Sequence, residues 1–314
     1  MVTLPYPGMK GLSLREENIF CGKYSVIVCQ EVGDMDRVVD FNGGHSVVTG
    51  ASSKAIRVFD IHTGKHSRDI IGHAGSVQCV YVNEALNLVV SGSYDTSVRR
   101  WDLATGQCKG ILRGHKSTVT CIGFDPSLMR LASGGKDKTL RIWALEAGKS
   151  VAVFAVDGVV TALRVNDGLA ACGTDTGSAC VYDMRTASQL RAIPAHGGTV
   201  HSLDLDCRFL ITGGADRAVH VWLVAGENGD PALSLRHTSA VLCVRFACLR
   251  IITGAEVGCP PAHHEIPRHA AHYVVAMPPI LSMADSVRNA ATSASSLVLR
   301  EKPHCSHIRA PDIA

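Results

Sequence analysis

The sequence contains no apolar run long enough to cross a membrane as a helix. Such a helix needs about 20 consecutive apolar residues, and the best candidate, residues 274–284, is interrupted by Pro278 and Pro279. The first residues also lack the apolar core of a secretory signal, so we expect no signal peptide. A membrane-spanning or secreted protein is therefore not expected.

Charged and aromatic residues are scarce as well. Charged residues make up 19% of the 314 residues, aromatic residues 5%, and the formal net charge is +3. So small a positive charge gives no basis for binding nucleic acid or a membrane surface. Hydrophobic residues reach 46%, which indicates a folded, globular protein and not a disordered one.

Twelve cysteines are scattered along the chain without a C-x-x-C pair. Several of them, such as Cys79 and Cys121, lie in apolar, strand-like runs, where a free thiol behaves as a small buried hydrophobe. Unpaired cysteines of this kind are typical of a reducing compartment, so we expect a cytoplasmic or nuclear protein.

Motifs of enzymes and metal sites are missing too. The patterns G-x-S-x-G, the P-loop and H-E-x-x-H do not occur. Histidines and cysteines collect near the C-terminus, but no spacing there matches a zinc finger. We therefore predict no enzymatic activity, no catalytic residue, no cofactor and no metal site.

What the sequence does contain is a repeat of about 40 residues. Its first marker is Gly72-His73, which returns as Gly114-His115, Ala195-His196 and Arg236-His237. Two further markers run in register with it, a glycine after a small residue (Gly92, Gly134, Gly213, Gly254) and an aromatic residue (Phe59, Trp101, Trp143, Tyr182, Trp222). Three markers that share one period indicate repeated structural units.

Each period is predicted to form short antiparallel strands. Residues 77–82, 88–91 and 97–101 are apolar or β-branched runs separated by Asn, Gly, Ser and Asp clusters, as in β-hairpins. Four short strands cannot bury both of their faces alone, so neighbouring sheets must stack around an axis.

The segment from Gly72 to Asp102 resembles a WD40 repeat. It carries the Gly-His pair, Ser91-Gly92, Asp95 and the final Trp101-Asp102 dipeptide. The resemblance implies an all-β fold, a WD40 β-propeller of about five to six blades. Proteins of this family act as protein-interaction modules, so a protein or peptide partner is implied.

The resemblance covers residues 18–256 and leaves residues 1–17 as an N-terminal extension. It implies five nearly complete blades (37–75, 76–116, 117–157, 158–197, 198–238) and a sixth that begins at Ser239. Residues 257–314 hold 7 of the 12 prolines, and we expect a disordered or weakly structured tail there. A ring that stops in its sixth blade is expected to close incompletely, unless residues 19–30 pair with the last blade.

Residues 17–26, which lead into the repeats, resemble the start of the propeller in F-box/WD repeat proteins. This implies the substrate-recognition propeller of a ubiquitin-ligase receptor, with a ubiquitination substrate as its partner. Only 17 residues precede Asn18, too few for an F-box, so binding to the F-box adaptor is not expected. The alternatives are a generic WD40 scaffold and a receptor of the cullin-4 adaptor, the latter suggested by residues 182–185 (Tyr-Asp-Met-Arg).

The WD40 resemblance also brings together four polar or aromatic residues within a blade. It implies a chain of hydrogen bonds from indole to hydroxyl, hydroxyl to imidazole and imidazole to carboxylate, which satisfies a buried polar row. Three structural tetrads are predicted: His73, Ser91, Asp95 and Trp101; His115, Ser133, Asp137 and Trp143; His196, Thr212, Asp216 and Trp222. A Ser-His-Asp catalytic triad would occur once, so a set repeated at blade spacing is interpreted as structural.

Two blades depart from the tetrad. One has Ser53 and Phe59 at the aspartate and tryptophan positions, and another has Asp157, Thr176 and Tyr182 at the histidine, aspartate and tryptophan positions. We expect these two blades to be held by apolar packing alone.

Propellers of this family bind partners on the face where the blade-linking loops converge on the channel. Two positions of each repeat are expected to lie on this face. One is the residue after the inner-strand valine, and the other is the residue before the hairpin aspartate. The predicted partner-binding residues are Gln78, Tyr94, Thr120, Lys136, Thr161 and His201, with Ala215 and Leu242 at equivalent positions. None is an arginine, whose guanidinium is the usual ligand of phosphate, so a peptide or protein surface is favoured over a phosphorylated segment.

Overall fold

The computed structural model of the chain describes residues 12–14, 36–41, 44–226, 230–247, 250–255 and 271–276. Within these residues, 24 strands form six sheets and there is no helix. Nothing in this described part could therefore cross a membrane as a helix. In every sheet the strands are neighbours in chain order, so each sheet is one blade, and the blades are numbered 1 to 6 along the chain.

The strand bounds are as follows. Blade 1 contains β1 (Leu12–Leu14), β2 (Asp36–Phe41), β3 (Ser46–Ala51), β4 (Ile56–Asp60) and β5 (His66–Ile70). Blade 2 contains β6 (Val77–Asn83), β7 (Leu88–Ser93), β8 (Val98–Asp102) and β9 (Cys108–Leu112). Blade 3 contains β10 (Val119–Asp125), β11 (Arg130–Gly135), β12 (Thr139–Ala144) and β13 (Lys149–Ala155).

The remaining blades repeat this arrangement. Blade 4 contains β14 (Val160–Asn166), β15 (Leu169–Thr174), β16 (Ser178–Asp183) and β17 (Ser188–Pro194). Blade 5 contains β18 (Val200–Leu205), β19 (Phe209–Gly214), β20 (Ala218–Leu223) and β21 (Leu233–Arg236). Blade 6 contains β22 (Val241–Ala247), β23 (Arg250–Ala255) and β24 (Ala271–Ala276). Six sheets of mostly antiparallel strands confirm the predicted all-β propeller and its number of blades.

Two strands lie outside the repeated pattern. β1 pairs with β2 in parallel, whereas the other strand pairs in the described residues are antiparallel. β24 comes from within the segment 257–314 and pairs with β23, with Thr253 opposite Tyr273. The rest of that segment and residues 19–30 lie outside the described residues, so the domain limits and the pairing of residues 19–30 remain predictions.

The innermost strands β2, β6, β10, β14, β18 and β22 pack side by side in chain order. The inner strands of the last and the first described blades, β22 and β2, pack against each other less than successive inner strands do. The inner strands carry a β-bulge near their first residue, where one residue is skipped in the register, as at Gln78 between Val77 and Cys79. A bulge turns the backbone locally and redirects one side chain.

Glycine marks the contact between successive blades. Three glycines of the second marker lie against an inner-strand valine of the next blade: Gly92 against Val119, Gly134 against Val160 and Gly213 against Val241. A Cβ atom on Gly134 would lie closer than 3.0 Å to Val160 and to the Sγ atom of Cys121. The repeated glycine is therefore required because two blades approach closely here, and not because of an unusual backbone angle.

Arginines link the outer parts of neighbouring blades. In four joints between described blades, an arginine of the earlier blade donates a hydrogen bond to a backbone carbonyl of the later one. The pairs are Arg68 with Ala104, Arg100 with Leu145 (3.1 Å), Arg130 with Arg185 (3.0 Å) and Arg191 with Leu223. These bonds connect each of these blades to the next one along the chain.

The upper face of the propeller consists of the loops before the inner strands and the turns between the second and third strands. In blade 2 these are residues 71–76 and 94–97. The turns repeat a left-handed residue after the aspartate, for example Thr96 at φ 66° and Lys138 at φ 58°. This conformation closes a tight turn and aims the preceding aspartate back toward the blade.

Candidate functional site

The predicted tetrad of blade 2 is assembled on the upper face. Trp101 in β8 donates its indole N–H to the Ser91 hydroxyl at 2.8 Å. The Nε2 atom of His73 lies 2.7 Å from the same hydroxyl, and its Nδ1 atom lies 2.9 Å from the Asp95 carboxylate. Asp95 also accepts a hydrogen bond from the backbone N–H of Ala74 at 2.9 Å, which holds the blade-linking loop against the turn.

Blades 3 and 5 contain the same chain of hydrogen bonds. The structure brings together all members of both predicted sets. The distances are Trp143–Ser133 2.8 Å, Ser133–His115 2.7 Å, His115–Asp137 2.9 Å, Trp222–Thr212 3.1 Å, Thr212–His196 2.8 Å and His196–Asp216 2.8 Å. The hydroxyl of each set is completely buried, so no substrate can reach it and nucleophilic attack is sterically excluded.

The pKa shifts agree with the direction of these hydrogen bonds. Burial lowers the pKa of His73 and of His115, against the opposing effect of Asp95 and Asp137. Burial alone would raise the pKa of Asp95, but hydrogen bonds from Ser97 and His73 hold it well below its usual range. Neutral imidazoles between a hydroxyl donor and an ionised carboxylate acceptor satisfy every polar atom in the row.

Acidification from pH 7 to pH 5 is expected to lower the free energy of unfolding. His73, His115, His220 and His237 have lowered pKa values in the folded protein. Below the ordinary value of 6.5 the unfolded chain therefore binds protons more readily, and stability is lost as the pH falls through the folded values. Urea unfolding at pH 7, 6 and 5 measures this slope. The slope should be flatter in His115→Gln, and equal stability at pH 7 and pH 5 would contradict the expectation.

Blade 4 replaces the tetrad with other hydrogen bonds. Asp157 accepts a hydrogen bond from the Ser178 hydroxyl at 2.5 Å, and the hydroxyls of Thr174 and Thr176 lie 2.7 Å apart. Tyr182 is fully buried in the tryptophan position. The expectation that this blade relies on apolar packing alone is therefore wrong, because a shorter polar network with a different donor set has taken the place of the tetrad.

Blades 1 and 6 contain only parts of the pattern. In blade 1, Phe59 packs in the core, while the Thr49 hydroxyl is buried and has no hydrogen-bond partner among the described residues. In blade 6, the Nε2 atom of His237 lies 3.3 Å from the Thr253 hydroxyl. The repeat marker identified His237 in the sequence. Its contact with Thr253 could not be identified in the same way, because it depends on how blade 6 folds.

The structure separates the predicted partner-binding residues into two groups. Tyr94 is 64% exposed, Lys136 is exposed, and Gln78 is half-buried beside the bulge. Thr120 and Thr161 are instead engaged within the propeller. The Thr120 hydroxyl donates to the carbonyls of Gly134 (3.1 Å) and Val160 (2.6 Å), and that of Thr161 donates to those of Gly173 (3.1 Å) and Val200 (2.5 Å).

The remaining predicted partner-binding residues also lie near the upper face of the propeller. His201 is half-buried at the bulge of β18 and interacts with neighbouring groups. Ala215 and Leu242 are exposed. Ile71, at 76% the most exposed large hydrophobic residue of the described part, also lies on the upper face and was not predicted. Its apolar side chain in a blade-linking loop was the signal that could have identified it.

Sequence comparison identifies repeats of one family along the chain. The family profile described as "WD domain, G-beta repeat" matches residues 64–102, 106–144 and 187–222. WD repeat-containing protein 3 of Mus musculus is 38% identical over an alignment of 87 residues, and the match covers 24% of this chain and 9% of that protein. F-box and WD repeat domain containing protein 10B of Homo sapiens is 32% identical over 99 residues, which are 32% of this chain and 13% of that protein.

The human F-box/WD repeat-containing protein 10 is likewise 32% identical over 99 residues, which are 9% of its length. The chain thus spans between 9% and 13% of the length of these curated relatives. Among solved structures, a chain in the crystal structure of the mitotic checkpoint complex matches with a TM-score of 0.64 at 20% identity, covering 72% of this chain and 73% of that one. At this identity the likeness concerns the fold.

Proposed function

Since this chain carries WD40 repeats and folds as a WD40 β-propeller, we propose that it binds a protein or peptide on its upper face. The WD40 propeller is typically a non-catalytic interaction module. The observation that carries the proposal is the set of exposed large side chains on one face, Ile71, Tyr94 and Leu242. Tyrosine and large apolar residues are enriched where a protein surface is buried by a partner.

The chemistry of this face suits an unmodified partner with some negative charge. Lys136 supplies a cation in the turn equivalent to that of Tyr94, and the predicted partner-binding positions contain no arginine. A phosphate group is usually held by the two parallel hydrogen bonds of a guanidinium. We therefore favour an extended segment with an aromatic or aliphatic anchor over a phosphorylated one.

We further propose that the partner is a ubiquitination substrate, and that the propeller serves a ubiquitin-ligase receptor of the F-box/WD type. The partial likeness to F-box and WD repeat proteins supports this assignment. One alternative is attachment to the cullin-4 adaptor through Arg185. Its side chain is exposed in the turn after β16, where Asp183 accepts the backbone N–H of Arg185 at 2.7 Å. The second alternative is that the chain is a scaffold protein without a link to ubiquitin.

The double substitution Tyr94→Ala with Lys136→Glu is expected to abolish partner capture. Both side chains are exposed, so the fold should be unaffected, while an anchor is removed and the local charge reversed. Proximity labelling in cells with the full chain measures this. The matched control is Leu86→Ala, which removes an exposed side chain from the turn between β6 and β7 on the opposite face.

Proteins labelled by the native chain and by the Leu86→Ala control, but lost with the double variant, are the expected result. Ubiquitin-ligase substrates should accumulate among them when the proteasome is inhibited. The same protein set with all three chains would contradict the proposal for the upper face. Loss of labelling in Arg185→Ala alone would favour the cullin-4 adaptor instead.

A further inference from the structure

One position on the third strand distinguishes blade 5 from blades 2 and 3. In those two blades, an arginine stands two residues before the tryptophan. The guanidinium carbons of Arg99 and Arg141 each lie 5.9 Å from the centre of the neighbouring indole ring. Blade 5 has His220 at this position, with its ring centre 5.7 Å from that of Trp222. An arginine cannot bind a metal ion, whereas an imidazole can.

His220 lies directly beside the tetrad of its own blade. The ring centres of His220 and His196 are 4.8 Å apart. His196, Asp216 and His220 each offer one ligand atom, and these atoms all lie within 4.8 Å of one another. Across the part of the chain that the structure describes, this is the one cluster of three such side chains with that spacing.

The spacing of the three ligand atoms can be compared with that around a bound ion. The Nδ1 atom of His196 lies 2.8 Å from the Asp216 carboxylate. Two ligand atoms at about 2.1 Å from a tetrahedral zinc ion are roughly 3.4 Å apart. An ion therefore requires this pair to open by about half an ångström and the wider separations, which reach at most 4.8 Å, to close toward roughly 3.4 Å. The Asp216 side chain can move because it lies in a surface turn and is only partly buried.

Both imidazoles have a hydrogen-bond partner that fixes their orientation. The Nδ1 atom of His220 lies 2.7 Å from the Ser234 hydroxyl in β21, so its Nε2 atom is left for an ion. The Nε2 atom of His196 lies 2.8 Å from the Thr212 hydroxyl. When Nδ1 of His196 binds an ion, its proton moves to Nε2. Nε2 then donates to the Thr212 hydroxyl, which donates to this imidazole in the metal-free state. Such outer partners orient ligands in metal sites.

We propose that His196, Asp216 and His220 form a binding site for a divalent transition-metal ion, with zinc the best fit to two imidazole nitrogens and one carboxylate oxygen. Three protein ligands leave a fourth position for water. The ion would tie the turn between β19 and β20 to the strand that follows it.

The test compares the full, metal-free chain with the variant His220→Arg, which places in blade 5 the arginine that blades 2 and 3 have at this position. Zn²⁺ is titrated in competition with a chromophoric chelator, and Co²⁺ is added separately to record its visible absorption bands. The native chain should bind one equivalent of Zn²⁺ at this site, show a tetrahedral Co²⁺ spectrum and rise in melting temperature with Zn²⁺. His220→Arg should lose this equivalent and the Zn²⁺-dependent rise.

Two further variants keep the result interpretable. Asp216→Asn retains an acceptor for His196 but removes the charged ligand, and it should weaken Zn²⁺ binding at least tenfold. His62→Arg replaces an exposed histidine on the opposite face and should bind as the native chain does. Circular dichroism confirms that each variant is folded. If the native chain and His220→Arg bind the same number of Zn²⁺ ions with the same affinity, the metal is held elsewhere and the proposal is wrong.

Discussion

Replacing His115 with alanine is expected to lower the free energy of unfolding by about 3 kcal/mol. The imidazole is the middle member of the blade 3 tetrad, between the Ser133 hydroxyl and the Asp137 carboxylate. Its removal leaves the buried Ser133 hydroxyl without its acceptor, at a cost of about 1–3 kcal/mol. It also leaves a cavity against Trp143, which adds to that cost.

Urea or thermal unfolding of the purified chain measures this effect. His66→Ala is the matched control, because His66 lies on an exposed strand, where it contacts the exposed Asp69 and the edge of Phe59. Its loss should cost less than about 0.5 kcal/mol. The two variants should therefore differ by several degrees in melting temperature. Equal losses in His115→Ala and His66→Ala would show that the buried row contributes nothing to stability.

Gly134→Ala is expected to destabilise the protein by roughly 2–3 kcal/mol, although alanine is normally the better residue in ordered structure. The new Cβ atom would lie closer than 3.0 Å to two atoms of Val160 and to the Sγ atom of Cys121. These atoms belong to the packed inner strands of blades 3 and 4, where relief requires the blades to separate, and overpacking of this kind costs about 1–3 kcal/mol.

A double-mutant cycle isolates the contact. Val160→Ala alone should be destabilising because it leaves a cavity, but combined with Gly134→Ala it should cost less than the sum of the two single changes. Gly197→Ala serves as the control, because no atom lies within 4 Å of a Cβ placed there. Additive losses in the cycle would mean that the two residues do not restrict each other.

The fold and the tetrads were predictable because they depend on spacing. A period of about 40 residues places His115, Ser133, Asp137 and Trp143 in one blade whatever the neighbouring blades do. The steric reason for Gly134 was not predictable, since its two nearest contacts would be with atoms of Val160 in the following repeat. The position of a residue within its repeat specifies where it lies in its own blade. It does not specify which atoms of the next blade approach it.

The same distinction explains the candidate sites. The exposure of Tyr94 follows from its place in a turn. The hydroxyl of Thr120 occupies an equivalent level, yet it is used by the carbonyl of Val160 in the next blade. The proximity of His220 to His196 joins residues 24 positions apart in sequence, and it depends on the tilt of two rings toward each other. The threonine contact recurs one blade later between Thr161 and Val200, whereas the histidine contact has no counterpart in blades 2 and 3, where an arginine takes the place of His220.

The joints between blades have a consequence for synthesis on the ribosome. At each of them, side chains of an earlier blade bind the backbone of the following one, as Arg100 does with Leu145 and Thr120 with Val160. A blade that has just been translated must therefore wait for about 40 more residues, or about 2–8 seconds at ordinary elongation rates. During that interval, the apolar face that the next blade will cover, which in blade 3 includes Leu140 and Ile142, is open to chaperones and proteases. We expect a nascent chain to be most sensitive to protease in the last complete blade whose successor has not yet been synthesised. The blades should therefore pack in chain order.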